Sequence, residues 1–289
     1  MALSLPLHVE TRGREAGGDV DTFVLLHGYG GSSFTWRHWL EALSARGHVV
    51  LVDLKGFGNA PKPNDGCYSP RDQADLVGQL ITQRDLNRVT LVGHSLGGGI
   101  ALLVALRLVA AGEGRLHRLV LVAGAAYPQR LPPFVSLARH PRLSEILWRL
   151  FGARRIVRRV LHTIVHDPSR VTPLQIEGYA RPLSSPGARR ALISSALQIV
   201  PDDLDRTIGL YPTLRVPTLL LWGRGDPVVP LAVGERLAAD LPHATLVVLE
   251  ACGHLPPEEL PDESLAALRE FLDRTGGNGP TSDGSNPSP

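Results

Sequence analysis

A chain of 289 residues that is 43% hydrophobic and 20% charged has ordinary globular composition, with length for one large α/β domain or two small ones. A net charge of +2 gives no electrostatic footprint for nucleic acid, and the basic charge is almost all arginine, Lys55 and Lys62 being the only lysines. Two distant cysteines, Cys67 and Cys252, argue against a disulfide framework or a metal-ligand spacing and read as free thiols in a reducing compartment. The start, MALSLPLHVETRGREAGGD, has neither a basic n-region nor a long apolar stretch, and no apolar run reaches the ~18–20 residues of a membrane span. A cytoplasmic protein without an integral membrane segment is the expectation.

In chain order, LPLHVETRG reads as an edge strand. Apolar, β-rich runs follow: TFVLLHG from Thr22, HVVLVDL from His48, RVTLVGH from Arg88, HRLVLVAGAA from His117, VPTLLLWG from Val216 and ATLVVLE from Ala244. Near-continuous rather than alternating runs suit strands covered on both faces. Helix-period segments lie between them, from Trp36 to Arg46, Pro70 to Arg84, Leu96 to Ala111, Val229 to Leu241 and Asp262 to Arg274. The alternation predicts an α/β fold with a mostly parallel, doubly wound sheet. A second early strand is hard to place before Thr22. From about Tyr127 to Leu214 no run reads as a strand, which predicts a helical insertion over the C-terminal edge of the sheet. That divides the chain into a core of residues 1–126 and 215–275, an insertion of 127–214, and a Gly/Pro/Ser/Asn-rich tail of 276–289 expected to be disordered.

The chemistry begins at RVTLVGHSLGGGIALLVAL, where a buried strand runs into a helix through Gly93-His94-Ser95-Leu96-Gly97. Ser95 reads either as a helix N-cap or as a nucleophile on a strained strand-to-helix elbow. A nucleophilic serine needs a base, and a carboxylate to hold that base in the right tautomer. On a parallel sheet both belong at the carboxyl ends of strands. LLLWGRGDPVVP places Asp226 just past one strand, and LVVLEACGHLPPEELP places His254 just past the last. The order Ser95, Asp226, His254 is that of hydrolases with a nucleophile elbow. Gly93 and Gly97 give the elbow neighbours without a Cβ. The Leu96 N–H at the start of the helix can face a developing oxyanion, and the His27-Gly28-Tyr29 turn can aim the Tyr29 N–H there as a second donor.

With HGYGG, GHSLGG, GRGDPVVP and GHLPPEELP in this order, and DLKGFGNAPKP between the first two, the chain resembles the α/β-hydrolase fold superfamily in its serine-hydrolase branch, across roughly Leu5 to Arg274. The resemblance implies Ser95 as nucleophile, His254 as base, Asp226 as its orienter, and Tyr29 and Leu96 as oxyanion donors. It also implies a helical lid after the sixth strand, where the strand-free insertion falls. Epoxide hydrolases and haloalkane dehalogenases of this fold carry aspartate at the elbow, so Ser95 argues against both. The expected activity is cleavage of small to medium carboxylic esters through an acyl-enzyme, with no cofactor and no metal, in a monomer or small homo-oligomer. Carbon–carbon bond hydrolases of ring-cleavage products share the triad and are the alternative, although their pattern usually has tryptophan where this chain has Leu255. Perhydrolase or acyltransferase chemistry is also open, and a non-catalytic scaffold is the reading from another class.

Competing roles are blander. His94 reads as a packed elbow residue, His27 as a loop-holding side chain and Glu259 as an anchor for the loop after His254. VLLHGYGGSS, with Asp53 ending the next strand, imitates a dinucleotide-binding fingerprint, but Ser33 stands where the third glycine, or an alanine, is needed for helix–strand packing, and the triad residues would go unexplained. Phe134, Trp148, Phe151 and Tyr179 are the aromatic candidates for the pocket. RHPRLSEILWRLFGARRIVRRVLHTIVH, amphipathic and rich in arginine, reads as a docking face for lipid interfaces or anionic substrates, or as a lid helix with a solvated basic face. The second reading is preferred, with Ile146, Leu150, Val157, Val160 and Leu161 turned toward the pocket.

Overall fold

A computed structural model describes residues 5–276. Its centre is a seven-stranded sheet of β1 (His8–Gly13), β2 (Thr22–Leu26), β3 (His48–Asp53), β4 (Val89–His94), β5 (Leu116–Val122), β6 (Thr218–Gly223) and β7 (Ala244–Leu249). The spatial order is β1-β3-β2-β4-β5-β6-β7, with β1 antiparallel to β3 and every other neighbouring pair parallel. The apolar runs give β2, β4 and β6 no exposed position, whereas β1 has the partly polar sequence of an edge strand. Residues between Gly13 and Thr22 form turns, so the insertion follows the fifth strand here, one fewer than the resemblance implies.

Helices pack on both faces. They are α1 (Leu40–Arg46), α2 (Pro70–Gln83) and α3 (Leu96–Ala111) before the insertion. The insertion holds α4 (Pro133–Ala138), α5 (Pro141–Ile164), α6 (Pro173–Leu183), α7 (Ala188–Leu197) and α8 (Leu204–Ile208), and α9 (Leu231–Asp240), α10 (Pro256–Glu259) and α11 (Pro261–Arg274) complete the core. The start of α2 is written in the sequence: Ser69 and Asp72 cap each other's backbone N–H groups and Pro70 takes the first helical position. The expected tail lies, apart from Gly276, outside the described residues.

Periodicity reads α5 as one helix, but its backbone breaks at Gly152, where φ is +68°. Before the break, Ser144, Leu147, Trp148 and Phe151 turn inward at helical spacing, leaving Ile146 and Leu150 on the solvent side, 54% and 65% exposed. That corrects the expectation for those two residues. After the break the phase resets, and Val157, Val160 and Leu161 face the interior as expected.

The chain winds from β2 outward to β3 and then returns to β4 on the other side of β2. The carboxyl ends of β2 and β4 therefore flank the switch point of the sheet, the crevice where open α/β sheets bind ligands.

Candidate active site

At that crevice β4 ends at His94 and α3 begins at Leu96, leaving Ser95 alone at φ +54°, ψ −118°. A non-glycine residue held there stores on the order of 1–3 kcal/mol of strain, so its surroundings must enforce it. They do so through the backbone: the Ser95 N–H donates to the Val122 carbonyl at 2.9 Å, and the Ser95 carbonyl accepts from Gly98 at 2.9 Å and from Ala125 at 3.0 Å. A Cβ on Gly93 would lie 2.3 Å from the Gly97 carbonyl oxygen, and one on Gly97 would lie 2.5 Å from the carbonyl oxygens of Leu26 and His27. Only glycine lets the end of β2 and the first turn of α3 close on each other.

Asp226 follows β6 and His254 follows β7, and their loops are pressed together: a Cβ on Gly223 would lie 2.1 Å from the Gly253 oxygen. His254 Nδ1 donates to Asp226 Oδ2 at 2.8 Å, with both side chains buried. Asp226 Oδ1 accepts from Val228 N–H at 2.7 Å and Val229 N–H at 3.0 Å, which fixes the carboxylate. With Nδ1 engaged as donor, the neutral imidazole carries its acceptor lone pair on Nε2. Ser95 and His254 line one cavity, and no hydrogen bond joins their side chains among the described residues; such contacts tighten when substrate binds.

The His254 loop is fastened on both sides by Glu259. Its carboxylate accepts from Gly253 N–H at 3.0 Å, Leu255 N–H at 2.9 Å and His166 N–H at 2.6 Å, while the His254 N–H donates to the Ile164 carbonyl at 2.8 Å. Glu259 thus anchors this loop, as its position suggests, and also ties it to the end of α5. Glu258 is a buried neighbour of the site that the sequence does not single out. Its fully buried side chain accepts from Arg37 at 2.9 Å, Gln175 at 2.6 Å and the Tyr179 hydroxyl, joining α10 and the turn before α1 to α6. Those partners lie 79 to 221 residues away, so no local pattern announces them.

His94 donates through Nε2 to the His254 carbonyl at 2.8 Å and packs its ring 4.8 Å from that of His254. Burial, and then the neighbouring His254, push its pKa down to about 3, so it stays neutral. His27 is likewise kept neutral by burial; its Nδ1 donates to the Gly28 carbonyl at 2.8 Å and its Nε2 accepts from Leu54 N–H at 3.1 Å. Both are packed residues, as read from the sequence. Asp53 accepts from Ser33 N–H at 2.6 Å and Asn59 N–H at 2.8 Å with no exposure, so it is not available to a ribose. Cys67 and Cys252 are unpaired. Among the described residues no His, Cys, Asp and Glu side chains gather as a metal site.

Ser95 and His254 open into an apolar cavity of about 1050 Å³ between the sheet and the insertion. Tyr29 and Leu96 border it, and no acceptor among the described residues takes either N–H. The Tyr29 hydroxyl donates to the Leu192 carbonyl at 2.9 Å, so α7 holds this loop from above. Phe134, Trp148, Phe151 and Tyr179 all border the cavity: Phe134 stacks obliquely on Tyr29, Phe151 sits half exposed at the rim, and Tyr179 turns its hydroxyl away to Glu258. Val157, expected there, completes the walls with Leu192, Val228 and Tyr211, three residues whose pocket role the sequence pattern does not distinguish from core.

Known proteins share this arrangement of chain. An uncharacterized hydrolase of Bacillus subtilis (strain 168), YugF, is 28% identical, with 92% of each chain covered. A 2-hydroxy-6-oxononadienedioate/2-hydroxy-6-oxononatrienedioate hydrolase of Cupriavidus pinatubonensis is 31% identical over 83% of this chain and 82% of its own. The structure of a thermophilic esterase from Thermogutta terrifontis superposes with a TM-score of 0.74 at 28% identity, covering 94% of both chains. The sequence model of the alpha/beta hydrolase family matches residues 23–268, which takes in the elbow, both loops that carry Asp226 and His254, and the whole insertion; the chain belongs to that family.

Proposed function

We propose that the protein is a cofactor-independent serine hydrolase that cleaves small to medium carboxylic esters through an acyl-enzyme. The observation that carries this reading is the 2.8 Å hydrogen bond from His254 to buried Asp226, set in one cavity with a serine at an elbow φ of +54°. Ser95 Oγ attacks the ester carbonyl carbon as His254 Nε2 takes its proton, and Asp226 stabilises the imidazolium that forms. The Tyr29 and Leu96 N–H groups donate to the oxyanion, each worth ~2.7–4 kcal/mol in such sites. His254 then protonates the leaving alcohol, which departs, and activates a water that releases the acid. Residues 127–214 act as the lid that roofs the cavity, and Phe134, Trp148 and Phe151 shape the acyl site.

Among the described residues no helix is long and apolar enough to cross a membrane. A small-molecule substrate reached from the cytoplasm is part of this reading. The test is fluorophosphonate labelling of one sample and, on untreated protein, a p-nitrophenyl ester series from acetate to palmitate. Each methylene buried adds about 0.8 kcal/mol, so rates rise with chain length until the roof is met and then fall. A peak at short or medium chains supports the reading; failure of Ser95 to label, or no ester turnover, rejects it.

A second reading is carbon–carbon bond hydrolysis with the same residues, favoured by the 31% identity to the Cupriavidus pinatubonensis hydrolase. Fast turnover of a ring-cleavage dienoate beside poor turnover of every ester would select it.

A further inference from the structure

The helix segment that closes the cavity has a second apolar face, and it points away from the cavity. Between Pro141 and the break at Gly152, Leu143, Ile146 and Leu150 recur at helical spacing and are 45%, 54% and 65% exposed. None of the three borders the cavity, whose wall is built from Ser144, Leu147, Trp148 and Phe151 of the same segment. Arg142 and Arg149 form the next row along this stripe, and Arg139 stands just before the helix; all three are exposed and none is paired with a carboxylate among the described residues. The one acidic side chain of the segment, Glu145, is paired with Arg189. In the sequence of α5, six residues are arginine and one is acidic.

An apolar stripe beside unpaired arginines fits a surface that is apolar within and anionic at its face. A second copy of this chain would bring the arginines against their own equivalents, and like charges oppose that pairing. We propose that α5 docks through Leu143, Ile146 and Leu150 on an anionic lipid bilayer, with Arg139, Arg142 and Arg149 against the headgroups. The apolar side chains insert at the acyl boundary, as in amphipathic helices that lie in the membrane plane, and the basic row is attracted by the negative leaflet. Because the inner face of the same turns is the cavity wall, docking sets the roof of the cavity against the lipid. The docking does not depend on the ester reading, since it uses the outer face of the roof and none of the triad, the oxyanion donors or the aromatic residues of the acyl site.

The full chain is sedimented with vesicles of phosphatidylcholine alone and of phosphatidylcholine mixed with phosphatidylglycerol, with Ile146→Asp/Leu150→Asp and Arg142→Glu/Arg149→Glu as variants. All four positions are exposed, so folding is preserved, and p-nitrophenyl acetate turnover stays at the wild-type level in each. Wild-type protein should bind the anionic vesicles, weaken as salt rises above about 0.1 M, and show little binding to phosphatidylcholine. Each variant should bind at least about ten-fold more weakly. Absence of binding to anionic vesicles, or equal binding by the wild type and both variants, overturns the proposal. A dimer in sedimentation equilibrium that Ile146→Asp/Leu150→Asp dissociates overturns it too, and would assign the stripe to a second copy.

Discussion

Glu259→Ala removes the acceptor of three backbone N–H groups: those of Gly253 and Leu255, which bracket His254, and that of His166 at the end of α5. Gly253 and Leu255 are buried, whereas His166 is exposed and regains water. A buried donor left without its partner costs about 1–3 kcal/mol, so two cost about 2–6 kcal/mol. Water entering the space left by a partly exposed carboxylate moves the expectation to about 2–4 kcal/mol. Domains of this kind have about 5–15 kcal/mol in hand, so the variant should stay folded and show the loss in urea denaturation. The kinetic effect follows from position: a shift of about 1 Å in a reacting group costs as much as 10²-fold. The variant should lose about 10- to 100-fold in kcat on a p-nitrophenyl ester, with KM changed far less because the cavity walls stay in place. Glu259→Gln keeps one acceptor oxygen and should fall between. A Glu259→Ala protein with wild-type urea midpoint and wild-type kcat would refute the idea that this carboxylate holds His254 in place.

Ser95→Ala should abolish hydrolysis, a loss of about 10⁶ in kcat for a nucleophile of this kind, and Ser95→Gly should do the same while raising stability by roughly 1 kcal/mol, because glycine relieves the positive φ; thermal melts beside activity separate the two effects. Asp226→Asn should lower kcat by about 10⁴ with little change in KM, since an amide cannot stabilise the imidazolium; an unchanged kcat would place another acid in the role. Glu250 is not a candidate by position, being bound to Arg224 at 2.8 Å on the surface. His94, with its pKa pushed down to about 3 by burial and then by His254, refuses a proton that the unfolded chain takes up near pH 6.5. Its contribution to stability is therefore complete above about pH 6.5 and is lost as pH falls toward 3, by up to about 1.4 kcal/mol per pH unit. His94→Gln should flatten the fall of melting temperature between about pH 6.5 and 4, and an unchanged slope would remove His94 from the account.

The inner strands are legible because they are covered on both faces and so write continuous apolar runs into the sequence; RVTLVGH and VPTLLLWG contain β4 and β6 with one or two residues to spare. The candidate site was legible for a related reason. Ser95, Asp226 and His254 all sit at strand ends, so locating the strands located them, and Gly93 and Gly97 marked the one elbow where backbones touch. The inward face of α5 is not legible because one residue, Gly152, resets the helical phase, and a glycine within an amphipathic pattern does not declare whether it bends the chain. Glu258 stayed invisible because its meaning lies in Arg37, Gln175 and Tyr179, which only the folded chain brings to it.

The way the insertion is fastened decides which part of it can be exchanged. The Ile164 carbonyl and the His166 N–H, from the second half of α5 and just beyond it, are tied to the loop that carries His254, while residues 131–151 make no hydrogen bond to that loop among the described residues. A chimaera cut at Leu131 and Gly152 would carry a foreign roof over an undisturbed base. One cut at residues 127 and 214, the limits of the strand-free stretch, would take the fastening away with the roof. On the proposed reading, the seam between substrate choice and proton transfer runs through Gly152, inside the insertion.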